Sequence, residues 1–191
     1  MIIGIAGTIA AGQETLTGFF REKGFIYLES SQVIKDELRR EGREVTRESM
    51  QDKGDELRAK YGVSAIMIML LDKTRTEPTK NYIFDSLRND GEAEFMRKEV
   101  KNFILIGVDA PKELRFKRTL KRAKPSDPKT WEEFLVVDGR DQNDTSNPLG
   151  QQTRKLIENS DFVIFNDKEL AKSKNQVEQI WEKLKDKILV S

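Results

Sequence analysis

The sequence predicts an α/β fold in which a parallel sheet carries helices on both faces. Short apolar runs rich in β-formers and bounded by Gly, Asp or Asn alternate with segments of helical periodicity. Strands that alternate with helices form right-handed βαβ units, and these place their strands parallel. The apolar fraction of 37%, together with 12 glycines, is enough for a sizeable core in 191 residues.

Five runs are predicted to be buried strands: residues 1–6, 25–28, 82–84, 103–108 and 162–165. Helices are predicted over residues 31–41, 46–61 and 64–74, between the second and third strands, and over residues 111–123 and 131–140. A last helix carries one apolar stripe made of Val177, Trp181, Leu184 and Ile188. We expect a single domain over residues 1–191, because this length is ordinary for one domain.

Residues 124–128 and 143–150 have the turn chemistry of loops and flank the helical segment 131–140. Two interpretations of residues 124–150 stay open: a mobile flap over a site, or an ordinary surface excursion.

The chain has no Cys and no His. Their absence excludes disulfides, thiolate nucleophiles, Cys/His zinc sites and a Ser-His-Asp triad. Carboxylates, hydroxyls, Lys, Arg, backbone N–H groups and hard cations such as Mg²⁺ remain. The longest apolar run, residues 65–71, is far shorter than the ~20 residues of a membrane span. We therefore expect a cytoplasmic protein without a membrane partner.

A glycine-rich turn follows the first strand and opens a helix. Gly7 and Gly12 have the spacing of the phosphate-binding pattern in which Gly, four residues, Gly, Lys and Ser/Thr follow one another. In that pattern successive N–H groups and the helix N-terminus bind phosphate oxygens. The predicted phosphate-binding residues are Gly7, Thr8, Ala10, Ala11, Gly12, Gln13, Glu14 and Thr15.

Two positions of this turn depart from the pattern. Gln13 stands at the place of the lysine, and Glu14 at the place of the hydroxyl that holds Mg²⁺. One positive charge is lost and one negative charge is gained beside a polyanion. Glu14 then has two open interpretations: an oxygen ligand for Mg²⁺, or an acid that only complements the helix dipole.

Further polar residues are predicted at the same edge of the sheet, where ligands bind in parallel α/β folds. Asp85 follows the third strand and is a candidate magnesium ligand and catalytic residue, with Arg88 close behind. A helix-capping role is equally open for Asp85. We expect Asp109, which ends the next strand, to cap the helix that begins near Pro111.

One face of the helix over residues 111–123 carries Arg115, Arg118 and Arg122. These arginines suit bidentate binding of phosphate groups or form solvated surface. Nucleic-acid binding is disfavoured, because the net charge is only +1. Arg58 lies on the predicted helices between the second and third strands. Acceptor substrates dock against insertions of this kind in nucleotide kinases, and an ordinary surface arginine is the alternative interpretation.

The order of several sequence blocks carries a resemblance. The chain resembles the dephospho-coenzyme A kinase-like P-loop proteins, and especially the version found beside or fused to deoxycytidylate deaminases. The match covers nearly the whole chain and rests on residues 4–7, 85–89, 107–116, 127–134 and 160–166.

The resemblance implies a three-layer P-loop nucleotide-kinase fold with a five-stranded parallel sheet in the order 2-3-1-4-5. It implies an acceptor region of helices over about residues 31–75 and a lid over about residues 124–150. ATP and Mg²⁺ are the implied cofactors, a nucleotide-like molecule the acceptor, and a deaminase an implied protein partner. The resemblance assigns Gln32, Arg58 and Arg88 to the acceptor, Arg115, Arg118, Arg122 and Arg140 to the lid, and Asn166 to the nucleotide base.

The family commonly has an acid after the second strand, where this chain has Gln32. Glutamine cannot accept a proton at neutral pH, so it could only position an acceptor. Two hypotheses follow: an ATP-dependent nucleotide or dephospho-coenzyme A kinase with weakened turnover, or a nucleotide sensor or partner-binding protein without catalysis.

Overall fold

The computed structural model describes residues 1–125, 127–144, 147, 149–167 and 170–188. Its five strands pair in parallel in the order β2-β3-β1-β4-β5, which confirms the predicted sheet and its order. The strands are β1 (Ile2–Gly7), β2 (Ile26–Glu29), β3 (Tyr82–Leu87), β4 (Phe103–Asp109) and β5 (Phe162–Phe165).

Helices connect every pair of successive strands. They are α1 (Gln13–Glu22), α2 (Ser30–Arg40), α3 (Arg47–Tyr61), α4 (Ala65–Thr74), α5 (Asp90–Glu99), α6 (Lys112–Arg122), α7 (Trp131–Gln142), α8 (Thr153–Glu158) and α9 (Leu170–Leu184). The predicted helices between β2 and β3 agree with α2, α3 and α4. The last helix is shorter than its apolar stripe: α9 ends at Leu184, a 3₁₀ turn covers Lys185–Lys187, and Ile188 still packs against the core.

Side chains of the central strands alternate between two apolar clusters, one on each face of the sheet. Ile2 belongs to the cluster that also contains Leu38 of α2 and Met67 of α4. Ile3 belongs to the opposite cluster, with Phe20 of α1 and Val177 of α9. Because a strand's side chains have a period of two residues, one apolar run covers both faces and gives the three-layer architecture.

The carboxyl end of β3 is irregular. Ile5 of β1 pairs with Asp85, but Ala6 pairs with Leu87, so Ser86 is an extra residue, with a φ of 69°. The strand was predicted to end at residue 84, before Asp85. In the structure Asp85 lies inside the strand, directly opposite Glu29 at the end of β2. Such bulges change the direction of neighbouring side chains and are frequent beside functional sites.

Among the described residues, no helix combines the length and apolar character that crossing a bilayer requires.

Candidate functional site

Hydrogen bonds from three other parts of the chain hold the glycine-rich turn between β1 and α1. Thr8 donates its hydroxyl hydrogen to Asp109 Oδ1 at 2.9 Å. The carbonyl of Ala11 accepts hydrogen bonds from Arg118 NH1 and from Asn166 Nδ2, both at 3.0 Å. The turn is therefore fixed by β4, by α6 and by the segment after β5.

The backbone of the turn leaves the N-terminus of α1 open. Gly12, the N-cap residue, has a φ of 97° in the left-handed region, and no side chain caps the helix. A Cβ atom at Gly12 would lie 2.2 Å from Asn166 Nδ2, so position 12 requires glycine both for its conformation and for space. Uncapped N–H groups at the start of a helix form a binding site for phosphate oxygens.

Gln13 folds back over the start of the turn. Its side-chain Nε2 donates to the carbonyl of Gly7 at 3.4 Å, and its side chain covers Gly7. Glu14 lies in the first turn of α1 and is exposed.

Two adjoining cavities lie on either side of the turn. The first has a volume of about 280 Å³ and reaches towards β2, β3 and α3. The second has a volume of about 490 Å³ and reaches towards Arg118, Lys121 and Asn166. Both cavities are lined by Ala10, Gln13, Glu14 and Arg122.

Charged groups dominate the first cavity. Arg47 and Arg88 both pair with Asp141, which is fully buried, at 3.1 Å and 3.0 Å respectively. Arg122 forms two hydrogen bonds to Asp127, at 2.9 Å and 2.6 Å. Arg47 and Arg88 share Asp141 and both reach the cavity wall, where guanidinium N–H groups can donate hydrogen bonds to an anion.

Asp85 and Tyr27 form a hydrogen-bonded pair in the wall of the same cavity. The Tyr27 hydroxyl donates to Asp85 Oδ2 at 2.8 Å, and the backbone N–H of Ser86 donates to Oδ1. Burial raises the pKa of the Asp85 carboxyl, against the hydrogen bond from Tyr27 and the charge of Arg88. Burial and the neighbouring Asp85 also raise the pKa of the Tyr27 phenol, which therefore stays a donor.

The described residues contain no group of three or more carboxylates that could hold a metal ion by themselves. Glu14 and Asp85 nevertheless line the same cavity. Mg²⁺ in phosphate sites is held by one or two carboxylates together with substrate oxygens and water. This donor set therefore fits a magnesium ion that arrives with a phosphate ligand.

Six predicted site residues line neither cavity in the described part of the chain: Gly7, Ala11, Gln32, Arg58, Arg115 and Arg140. Arg58 and Arg115 are each 1% exposed. Arg58 pairs with Asp55 and Glu92, whereas Arg115 makes two hydrogen bonds to Asp138 and donates to the carbonyls of Ala110 and Ile9. Gln32 donates to Asp36 one helical turn away, and Arg140 pairs with Asp52 and Asp55.

Asp109 does not cap α6 as expected, because the N-cap position is Pro111. The carboxylate of Asp109 instead accepts hydrogen bonds from Thr8, from Arg154 and from the N–H of Ala110. Asp109 lies two residues before the cap position, at the strand end, and its carboxylate reaches the neighbouring turn.

Sequence reasoning did not identify four of the lining or supporting residues: Tyr27, Glu29, Arg47 and Asp141. Glu29 had a signal, since it follows an apolar run in the same way as Asp85. Arg47 and Asp141 are 94 positions apart and gave none.

The segment proposed as a lid is anchored on both sides. Phe134 of α7 packs against Phe116 of α6 with ring centroids 5.4 Å apart, and Arg140 and Asp141 connect α7 to α3. Residues 126, 145, 146 and 148 of the segment lie outside the described residues. A flap and a surface excursion therefore both stay predictions.

The chain is similar to a described protein family and to proteins of several archaea. Residues 3–136 match the protein family described as an AAA domain. The chain is 27% identical over 187 residues to the UPF0200 protein of Methanothermobacter thermautotrophicus. The alignment covers 98% of this chain and 92% of that relative.

Two solved structures have a similar fold. TT1252 from Thermus thermophilus has a TM-score of 0.62 and 18% identity, over 96% of this chain and 97% of that one. Shikimate kinase from Bacteroides thetaiotaomicron has a TM-score of 0.59 and 16% identity, over 97% and 98% of the two chains. At these identities the likeness establishes the fold alone.

Proposed function

The chain belongs to the AAA domain family and has the fold of P-loop kinases, and from these premises we propose that it binds ATP with Mg²⁺ and transfers a phosphoryl group to a nucleotide-like acceptor, with weakened turnover. The resemblance to dephospho-coenzyme A kinases, a deaminase partner and a cytoplasmic location stay predictions.

One observation carries the proposal: two cavities share the glycine-rich turn as their common wall. In a phosphoryl transfer the bond from the γ-phosphorus to the β–γ bridging oxygen breaks. An acceptor oxygen forms the new bond, and ADP leaves. The reaction needs a donor and an acceptor on opposite sides of one phosphate site. Two separate pockets that meet at the phosphate turn fit that requirement.

The second cavity suits the donor nucleotide. Arg118 and Asn166 line it beside Gly12, and Arg118 NH2 donates to Asn166 Oδ1 at 2.9 Å. A guanidinium plane offers a stacking surface, and the amide offers hydrogen bonds for a base. The donor phosphates would then meet the open N-terminus of α1.

The first cavity suits an anionic acceptor. Arg47 and Arg88 line it, and in the described part of the chain Arg47 Nε is buried without a hydrogen-bond partner. A phosphate group would supply the missing acceptor atom. Since Gln32 cannot accept a proton, an oxygen that is already ionised, as in a nucleoside monophosphate, fits better than a hydroxyl.

Glu14 and Asp85 would hold the magnesium ion, which in phosphoryl transfer neutralises charge on the β- and γ-phosphate oxygens. Arg122, which lines both cavities, would stabilise the charge on the transferred group. The exchange of the usual lysine for Gln13 removes a charge-assisted contact and supports weakened turnover.

A specific observation favours a second candidate, a nucleotide sensor without catalysis. Gln13 is engaged with the Gly7 carbonyl, and Gln32 with Asp36, so both amides that replace catalytic groups are used within the protein. A sensor would be stabilised thermally by a nucleotide, in accordance with mass action, but would consume no ATP.

The test restores the lost groups at the turn. The double variant Gln13→Lys with Glu14→Ser is expected to bind ATP about 10- to 100-fold more tightly than the wild type, chiefly because it removes the negative charge of Glu14 beside the phosphate oxygens, with a smaller gain from the new ammonium group. Titration calorimetry measures the affinity. ATP consumption with dephospho-coenzyme A or deoxynucleoside monophosphates distinguishes a kinase from a sensor.

The matched control is Gln179→Lys with Glu182→Ser, which makes the same charge change at exposed positions of α9. It is expected to leave ATP affinity unchanged. An equal gain in both double variants would mean that overall charge, and not the turn, determines binding. If neither the wild type nor the restored variant binds ATP, the proposed function is wrong.

A further inference from the structure

We propose that Arg88 supplies, from the end of β3, the positive charge that the phosphate turn lacks at position 13. The proposal rests on the proposed function and extends it: Arg88 would contact the donor phosphates, whereas the family resemblance assigns it to the acceptor alone. The observation behind the proposal is that the side chains of Arg88 and Gln13 both donate hydrogen bonds to the carbonyl of Gly7.

The carbonyl oxygen of Gly7 accepts a hydrogen bond from Arg88 NH1 at 2.9 Å and one from Gln13 Nε2 at 3.4 Å. A lysine side chain at position 13 would be one bond longer than glutamine, so its ammonium group could reach the same oxygen. The guanidinium of Arg88 therefore lies in the region that a lysine at position 13 would occupy. Two residues 75 positions apart converge there.

The guanidinium of Arg88 is held in place from its other side. Arg88 NH1 lies 3.0 Å from Asp141, whose side chain is 0% exposed, while the side chain of Arg88 keeps 14% of its surface accessible in the first cavity. Asp141 also pairs with Arg47. The charge of Arg88 also acts on Asp85, so what this cluster leaves open to a ligand is the accessible part of the Arg88 guanidinium and its remaining N–H groups.

The other described arginines around the turn make their hydrogen bonds to groups other than the carbonyl of Gly7. Arg115 is buried against Asp138, and Arg122 is paired in two hydrogen bonds with Asp127. Arg118 contacts the carbonyl of Ala11, at the opposite end of the turn from Gly7. Arg88 is thus the described cation that contacts the beginning of the turn.

If Arg88 replaces the missing lysine, the effects of substitutions at positions 13 and 88 on the free energy of ATP binding cannot be additive. A lysine at position 13 then increases ATP affinity little where Arg88 is present and strongly where Arg88 has been replaced. If Arg88 instead binds only the acceptor, the lysine gives the same gain in both backgrounds. This difference separates the two roles without knowledge of the acceptor.

The experiment measures ATP and adenosine binding by calorimetry in the absence of any acceptor. The proteins are the wild type, Arg88→Gln, Gln13→Lys and the double variant. Arg88→Gln is expected to weaken ATP binding about 10- to 100-fold and to leave adenosine binding nearly unchanged. Gln13→Lys should restore most of that loss, and should improve the wild type by clearly less. Arg75→Gln, at a side chain that is 81% exposed, is the control that changes nothing.

An equal effect of Gln13→Lys in both backgrounds would overturn the proposal, as would an Arg88→Gln variant with wild-type ATP affinity. In either case the proposed function stands, because ATP still binds. If no variant binds ATP, the proposed function fails and this proposal fails with it. Should Arg88→Gln not fold, Arg88→Lys decides: it keeps the charge and is expected to retain ATP affinity within about threefold, and a tenfold loss contradicts the role.

Discussion

Arginines on this chain have very different surroundings although their side chains are identical. Arg58 and Arg115 are completely buried against carboxylates, whereas Arg47 and Arg88 share one carboxylate beside a cavity. An arginine buried against carboxylates has no free surface for a ligand, and one that still reaches a cavity can bind an anion. The access of each guanidinium to a cavity therefore decides its role.

The environment of Asp85 costs stability. Burial raises the pKa of its carboxyl, so the folded protein binds that proton more tightly than the unfolded chain does. The stability that comes from the protonated form is lost as the pH rises through the folded-state pKa. Above the ordinary pKa of Asp, this side chain therefore destabilises the fold relative to a neutral one.

Replacement of Asp85 by Asn removes this charge and keeps hydrogen bonding to Tyr27 and to the N–H of Ser86. At pH 7 the variant is expected to have a higher Tm than the wild type. The difference should shrink as the pH falls below the ordinary Asp pKa, where both forms are neutral. Thermal unfolding across pH measures it, with Asp72→Asn, at a side chain that is 54% exposed, as the control. If the Tm of Asp85→Asn were several degrees below that of the wild type at pH 7, the argument would be contradicted. The ATP affinity of this variant in Mg²⁺ should fall in either case, because a proposed magnesium ligand is lost.

The turn between β1 and α1 is an element in which backbone conformation decides function. Ala10 and Gly12 both have positive φ values, 57° and 97°, and the turn leads directly into the uncapped start of α1. Only a residue without a Cβ fits position 12, because Asn166 occupies the adjacent space.

Gly12→Ala is expected to destabilise the protein by about 1–3 kcal/mol, from the left-handed backbone and the contact with Asn166, and to abolish tight ATP binding. Gly18→Ala is the matched control on α1, because a Cβ there meets nothing within 4 Å. In a helix interior that change should stabilise by about 0.5–1 kcal/mol. Urea unfolding with calorimetry tests both variants. Normal ATP affinity in Gly12→Ala would remove the turn from the proposed site.

Two helices show why element prediction was incomplete. α5 and α8 were not predicted. α5 is short of apolar residues, and α8 has only six residues. A signal for α5 existed in Asn89 and Glu92, which form a capping box at its start. Helices that are short or carry few apolar residues depend on packing more than on periodicity.

At the scale of the whole molecule, ion pairs tie the helices between β2 and β3 to the rest of the fold. Arg58 Nε of α3 donates to Glu92 of α5 at 3.2 Å, and Arg47 and Arg140 connect α3 to α7. Asp55 also pairs with Arg58. These contacts fix the wall of the first cavity relative to the sheet.

Arg58→Met is expected to reduce the free energy of unfolding by about 3–5 kcal/mol, because Glu92 would be left buried without its charged partner. Arg75→Met, at the exposed end of α4, should change it by less than about 0.5 kcal/mol. Denaturant unfolding measures both. If Arg58→Met kept full stability but lost acceptor-dependent turnover, the acceptor role implied by the resemblance would be the better interpretation.

The sequence by itself determined the five strands along the chain, the helices other than α5 and α8, the parallel sheet, the glycine turn and the chemistry left to a chain without Cys or His. These features depend on local patterns: a period of two or 3.6 residues, turn chemistry and spacing. Only the tertiary structure decided which arginines are buried and which face a cavity, and that Arg88 and Gln13 meet at one carbonyl. Such contacts join residues far apart in the chain, and no local pattern records which carboxylate will lie beside which guanidinium.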